Sequence, residues 1–257
     1  MKIVRFKDSK DSIYWGELNG KEIIKLQSNP YDGIIKTEEI FKLQDIELLT
    51  PCTPTKIIGL GLNYKESYTN GEYPNEPILF LKGTNALIGH QEKIIYNPNI
   101  KYAWMEAELV IVIKKITKNI TFGEAEDYIF GYTIGNDITA ENIYNLDHHL
   151  ARSKSIDTFS PIGPHIETKI NTSDIRIYSW LNGKKIQKTT TANRINTDAE
   201  IVSKISKLIT LYPGDIILTG TPPGEGAEHI MNVGIIHPGD YLKIEIEGIG
   251  ILENEVI

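Results

Sequence analysis

Apolar residues along this chain fall mostly into short runs, alternating or unbroken, and rarely at helical spacing. Near the amino terminus, Ser12–Leu18 and Lys21–Leu26 are such runs, with Asn19-Gly20 between them as a strong hairpin signal. The spacing over Lys36–Leu43 predicts a short amphipathic helix, and Leu49–Pro54, with two prolines, reads as a linker. Lys56–Tyr64 reads as a strand running into a loop, further strands are predicted over Ile78–Gly83, Met105–Ile113 and Gly131–Thr139, and a second hairpin turns at Asn182-Gly183 between Ile175–Leu181 and Lys184–Lys188. A polar loop or a short helix is expected between Thr139 and His149.

Helical signals are few. The best covers Asp198–Leu211, where Ile201, Val202, Ile205, Leu208 and Ile209 form one stripe and Thr197 with Glu200 forms a capping box; Thr121 with Glu124 is another box. Pro213-Gly214-Asp215 and Pro238-Gly239-Asp240 mark tight turns, each followed by a strand. The pattern is a β-dominated α+β chain, divided into a small N-terminal β domain over 1–52 and a larger domain over 53–257.

Charge narrows the partners. Lys+Arg 27 against Asp+Glu 34 gives a net charge of -7, which disfavours nucleic acid and anionic membranes as partners. The single Cys52 excludes an intrachain disulfide and fits a reducing cytoplasm, and no run approaches a membrane span. A soluble cytoplasmic protein is expected.

The candidate chemistry begins at Met105-Glu106-Ala107-Glu108, where two acids precede an unbroken apolar run. On a strand, alternate side chains share a face, so both carboxylates point to one side. A neighbouring strand ending in Asn136-Asp137 adds a third acid. Three carboxylates at one point raise each other's pKa unless a cation sits among them, and oxygen ligands without Cys or His favour a hard divalent ion, Mg2+ first, with Mn2+ or Ca2+ as alternatives. The plain alternative is an exposed acidic strand end facing nothing. The six histidines lack ligand-like spacing, and Gly59-x-Gly61 is half a dinucleotide fingerprint with no third glycine or following helix, so no Rossmann site is expected.

Several stretches together resemble the fumarylacetoacetate hydrolase family. They are Gly61–Tyr64, Pro77–Lys82, Glu106–Leu109, Gly135–Ala140, Lys154–Phe159 and Pro213–Gly224, in family order over roughly residues 50 to 250. The resemblance implies a mixed β-roll or sandwich core behind the small N-terminal domain, a homodimer, a divalent ion on Glu106, Glu108 and Asp137, and activity on small 2-oxo acids. Two departures stand out. Where hydrolytic members carry His and Glu to activate water, this chain has Ser67 and Asn70, with Glu66 and Glu72 nearby; the family's Arg after Asp-x-Thr-Ala is Glu141 here.

A cation that chelates a 2-oxo acid polarises its keto group, and tautomerisation, decarboxylation and carbon–carbon cleavage then share an enolate. Only cleavage needs an activated water. Lys154, in Arg152-x-Lys154-x-x-Asp157, is the catalytic candidate, as a partner for the carboxylate or enolate or as a proton donor. Arg152, Asp157, Tyr64, Thr191, Gly220 and Thr221 are candidate substrate contacts. The expected function is a metal-dependent hydrolase, decarboxylase, dehydratase or isomerase of small 2-oxo acids such as 2-hydroxyhepta-2,4-diene-1,7-dioate. The rival is a non-catalytic, metal-containing protein that holds a dicarboxylate.

Overall fold

A computed structural model describes residues 1–68, 70–142, 146–224 and 229–257. Among these, strands outnumber helices, as the alternation requires, and they form sheets of twelve, five and three strands. The strand Ala107–Ile113 lies near the middle of the largest sheet, fully buried along its length. It pairs antiparallel with Ile129–Asn136 on one side and with Ile216–Leu218 on the other. Ile57–Gly61 follows, parallel to Ile216–Leu218, and Ile78–Lys82 forms that edge.

On the opposite side, Ser160–Glu167 joins Ile129–Asn136 to the amino-terminal strands, with Lys2 facing Glu167 and Ile3 facing Ile166. The N-terminal strands therefore extend the large sheet. Pro51 and Cys52 of the expected linker are buried within this structure.

The central strand packs differently on its two faces because successive side chains point to opposite sides of the sheet. Ala107 and Leu109 belong to a core shared with Ile177, Ile244 and Leu252 of the five-stranded sheet. Ile111 and Ile113 meet Ile201, Val202 and Ile205 of the helix Asp198–Leu208. Val110 and Val112 lie in a separate core with Ile3 and Ile162, on the face that also carries Glu106 and Glu108.

The helix opens on the predicted capping box, with Thr197 and Glu200 exchanging hydrogen bonds. It stops three residues earlier than its stripe suggests, because Leu211 exchanges backbone hydrogen bonds with Thr117. The box at Thr121 opens a 3-10 helix, Phe122–Tyr128.

Both hairpins form. Asn182 and Gly183, at φ +51° and +79°, make the tight turn of the second. The first turns one residue later than Asn19-Gly20, with Asn19 already paired to Glu22 and Gly20 at φ +62°. The expected helix over Lys36–Leu43 is instead the strand Lys36–Lys42, paired to Glu22–Leu26. The ring of Phe41 closes against Phe6 at 5.0 Å and Tyr14 at 5.8 Å, and this packing outweighs the local periodicity. Within Thr139–His149, residues 143–145 lie outside the described residues; Thr139–Ala140 is a short strand. Among the described residues no helix is long and apolar enough to cross a membrane.

Candidate functional site

The polar end of the central strand sits against the end of its neighbour. Asp137 N–H donates to the Glu106 carbonyl at 2.9 Å, and Glu106 N–H donates to Asn136 Oδ1 at 3.0 Å. These bonds tie the two strand ends together and fix the relation between their acids. Glu106, Glu108 and Asp137 each bring a carboxylate oxygen within 4.8 Å of the others, at 9%, 1% and 0% exposure.

Two ammonium groups share this space. Lys154 Nζ donates to Glu106 Oε2 at 2.8 Å, Asp137 Oδ2 at 2.5 Å and Thr139 Oγ1 at 2.5 Å. Lys82 Nζ donates to Asp137 Oδ1 at 2.6 Å and to the carbonyls of Phe159 and Ile138. Neutral donors complete the set, with Trp104 Nε1–H on Glu106 Oε1 and Gly220 N–H on Glu108 Oε2, both at 2.7 Å.

The electrostatics follow from this count. Burial pushes the Glu108 carboxyl well above the usual carboxylate range, and the charges of Asp137 and Glu106 push it further. Asp137 is also buried, yet the ammoniums of Lys154 and Lys82 outweigh that and hold it below its usual range. Burial depresses the Lys82 ammonium. For Lys154 the attraction of Asp137 and Glu106 overcomes burial, and its ammonium is held more firmly than that of an ordinary lysine. Three carboxylates against two ammoniums leave one negative charge unbalanced in a buried, oxygen-only setting. That donor set suits a hard divalent ion.

The walls are built by close packing. A Cβ at Gly59 would lie 2.2 Å from the Phe80 ring, so glycine makes room for that ring, and Lys154 Nζ sits 4.6 Å from its centroid. The turn Thr219–Thr221 is pinned from several sides. Thr219 and Thr221 hydroxyls donate to the carbonyls of Leu109 and Ala107, and Asn63 Nδ2–H donates to the Thr219 carbonyl. Gln187 uses its whole side-chain amide here: Oε1 accepts from Ala107 N–H and Ser179, while Nε2 donates to Thr221 Oγ1 and the Pro222 carbonyl.

Of the residues singled out from the sequence, Glu106, Glu108, Asp137, Lys154 and Gly220 converge, and Thr221 lies beside Ala107 on the same strand end. Tyr64 is fully buried, its hydroxyl lacks a hydrogen-bond partner among the described residues, and burial raises its pKa. Arg152 and Asp157 are exposed; Asp157 accepts from Asn85, and Arg152 N–H donates to Asp147. Thr191 stands apart, its hydroxyl donating to the Thr172 carbonyl and accepting from Ile175 N–H, beside a cavity of about 720 Å³ that Arg194 and Asp198 also line. Glu66 accepts from Thr189 and Asn193, and Glu72 is engaged with Asn70.

Sequence reasoning missed Lys82, Trp104 and Gln187 as parts of the site. Lys82 closes the Pro77–Lys82 stretch, and a lysine ending an apolar strand ordinarily faces water. Nothing local marks it as buried.

Residues 56–257 match the family described as fumarylacetoacetate (FAA) hydrolase C-terminal, and residues 1–51 match the one described as Rv2993c-like, N-terminal. The mitochondrial oxaloacetate tautomerase FAHD2A of Bos taurus is 34% identical over 226 residues, covering 83% of this chain and 70% of that protein. The fumarylacetoacetate hydrolase domain-containing protein 2 homolog of Dictyostelium discoideum is 38% identical over 229 residues, covering 83% and 75%. Among solved structures, 2-hydroxyhepta-2,4-diene-1,7-dioate isomerase of Mycobacterium marinum superposes with a TM-score of 0.89 at 32% identity, covering 100% of this chain and 98% of that one. With the sequence match spanning the whole larger domain and the fold matched end to end, the chain belongs to the fumarylacetoacetate hydrolase family.

Proposed function

We propose that this chain is a divalent-metal-dependent enzyme acting on small 2-oxo acids, and that its reaction moves a proton between carbon and oxygen, as enol–keto tautomerisation or double-bond isomerisation. The observation that carries this reading is the buried set of Glu106, Glu108 and Asp137 with Lys154 lodged directly on two of them. Two relatives support the same class, since one is named an oxaloacetate tautomerase and another an isomerase of a 2-hydroxy dienedioate.

Glu106, Glu108 and Asp137 would hold the ion, Mg2+ by preference and Mn2+ in its place. When bound, the ion supplies Lewis acidity toward the keto oxygen of a 2-oxo acid. The Lys154 ammonium, which rests on Glu106 and Asp137, would pair with negative charge developing on that oxygen and carries a proton at Nζ. Thr221, beside the same strand end, keeps its hydroxyl on the Ala107 carbonyl and would reach a substrate carboxylate only by giving up that bond. Water-activating chemistry has less support: Ser67 and Asn70 have no basic side chain, and the Glu66 carboxylate is held by Thr189 and Asn193. Pairing of two copies in the cytoplasm belongs to the same proposal and is checked by light scattering and cell fractionation.

The test is an assay of enol-oxaloacetate, 2-hydroxy dienedioates and acylpyruvates with Mg2+, Mn2+ or EDTA. Tautomerisation or isomerisation that needs the ion and falls at least a hundredfold in Lys154→Met is the expected result. Binding of these acids without turnover of any of them would favour the dicarboxylate-holding reading, to which the departures at Ser67 and Asn70 lend weight. Cleavage of acylpyruvates faster than any isomerisation would overturn the proposed reaction type.

A further inference from the structure

Each of the three clustered carboxylates has one oxygen committed to a donor other than Lys154. Trp104 Nε1–H occupies Glu106 Oε1 at 2.7 Å, Gly220 N–H occupies Glu108 Oε2 at 2.7 Å, and Lys82 Nζ occupies Asp137 Oδ1 at 2.6 Å. The oxygens left over include Glu106 Oε2 and Asp137 Oδ2, the pair on which the Lys154 ammonium rests. The three donors come from separate parts of the chain, a short strand, a turn at φ +98° and the end of an edge strand. They are also firmly placed: Trp104 is 7% exposed and Lys82 3% exposed. Lys82 is held further by the Phe159 and Ile138 carbonyls.

We infer that Trp104, Lys82 and the Gly220 amide act as positioning groups that restrict each carboxylate to one oxygen toward the cation, and so select a small octahedral ion over Ca2+. This rests on the metal-dependent reading above. Ca2+ takes six to eight oxygens at about 2.3–2.6 Å and commonly uses carboxylates through both oxygens, whereas Mg2+ demands about six at 2.0–2.1 Å. Three one-oxygen carboxylates supply half of an octahedron and leave its other half for water and a chelating reactant. For Ca2+ the same three leave the shell much emptier, and the usual remedy, a carboxylate turning both oxygens inward, would break a buried hydrogen bond to indole, amide or ammonium. Leaving such a buried donor unpaired is costly, more so where its partner is charged.

The test compares affinities of the two ions, measured by calorimetry with Mn2+ and Ca2+ on the full chain, in the unaltered protein, Trp104→Phe and Lys82→Met. Trp104→Phe keeps an aromatic ring in the core and frees Glu106 Oε1; Lys82→Met keeps the chain length and frees Asp137 Oδ1. The unaltered protein is expected to prefer Mn2+ strongly, and each variant to narrow the ratio of the two dissociation constants at least tenfold, chiefly by tighter Ca2+ binding. Should Lys82→Met fail to fold, Trp104→Phe decides alone. Equal weakening of both ions with an unchanged ratio is what a merely structural loss produces, and it overturns the inference while sparing the metal reading. Failure of the unaltered protein to bind either ion overturns the metal reading itself and this inference with it.

Discussion

Replacing Glu108 by glutamine makes the balance of charge at the site measurable. The side chain keeps its shape and its carbonyl still accepts from Gly220 N–H, but one of three buried negative charges is removed. At the 4.8 Å limit that separates the ligand oxygens, two unit charges repel by about 3.5 kcal/mol at an effective dielectric constant of about 20. Glu108 faces two such neighbours, while the Lys154 ammonium and proton uptake by Glu108 itself offset most of the repulsion. A net gain of about 1–3 kcal/mol in the metal-free protein is the expected outcome. With an unfolding entropy of about 2.1 cal/mol/K per residue over 257 residues, about 540 cal/mol/K in all, this raises the melting temperature by about 2–6 °C.

The ion should act in the opposite sense. At a hundred times its dissociation constant it stabilises the unaltered protein by about 2.7 kcal/mol, close to 5 °C on the same scale, and it should do little for Glu108→Gln. Thermal unfolding followed by circular dichroism in EDTA and in Mn2+ reads both effects. A glutamine variant that melts several degrees below the unaltered protein in EDTA, or one that gains as much from Mn2+, would show that Glu108 is neither a source of repulsion nor a ligand.

Three further outcomes follow from other parts of the fold. Burial, helped by Lys2, pushes the His165 imidazole down to about 4, and its Nε2 has no hydrogen-bond partner among the described residues. The unfolded chain with its pKa near 6.5 then binds more protons, so stability is full above pH 6.5 and about 3 kcal/mol is lost between pH 6.5 and 4; urea titrations of His165→Leu should lack that component. Gly59→Ala drives a methyl group into the Phe80 ring, costs roughly 1–3 kcal/mol in denaturant titrations, and lowers turnover as well because that ring lies beneath Lys154. Thr197→Ala removes the hydroxyl that caps the helix Asp198–Leu208 and costs about 1 kcal/mol, with activity unchanged once the protein is folded.

How much of this was legible depends on how local each cause is. The Asn182-Gly183 hairpin and the capping box at Thr197 are written in adjacent residues, and both form where the residues place them. The strand over Lys36–Lys42 was not legible, because what decides it is the contact of Phe41 with Phe6 and Tyr14, distant in sequence. At the site, the convergence of Glu106 and Glu108 follows from strand alternation, and Asp137 joins them because its strand pairs next door. Lys82 stayed hidden since its partners, Asp137, Ile138 and Phe159, are brought to it only by the folded sheet. The Gly59-x-Gly61 pair shows the same limit from another side: its first glycine serves Phe80, a neighbour across the strands.

The hydrogen bond from Trp104 to Glu106 carries an optical consequence. Trp15 and Trp180 are partly open to solvent, whereas the Trp104 indole is enclosed and touches one of the clustered carboxylates directly. Charge rearranged at Glu106 therefore shifts the emission of a single shielded fluorophore, and the protein carries its own dye at the place where its chemistry is proposed to occur.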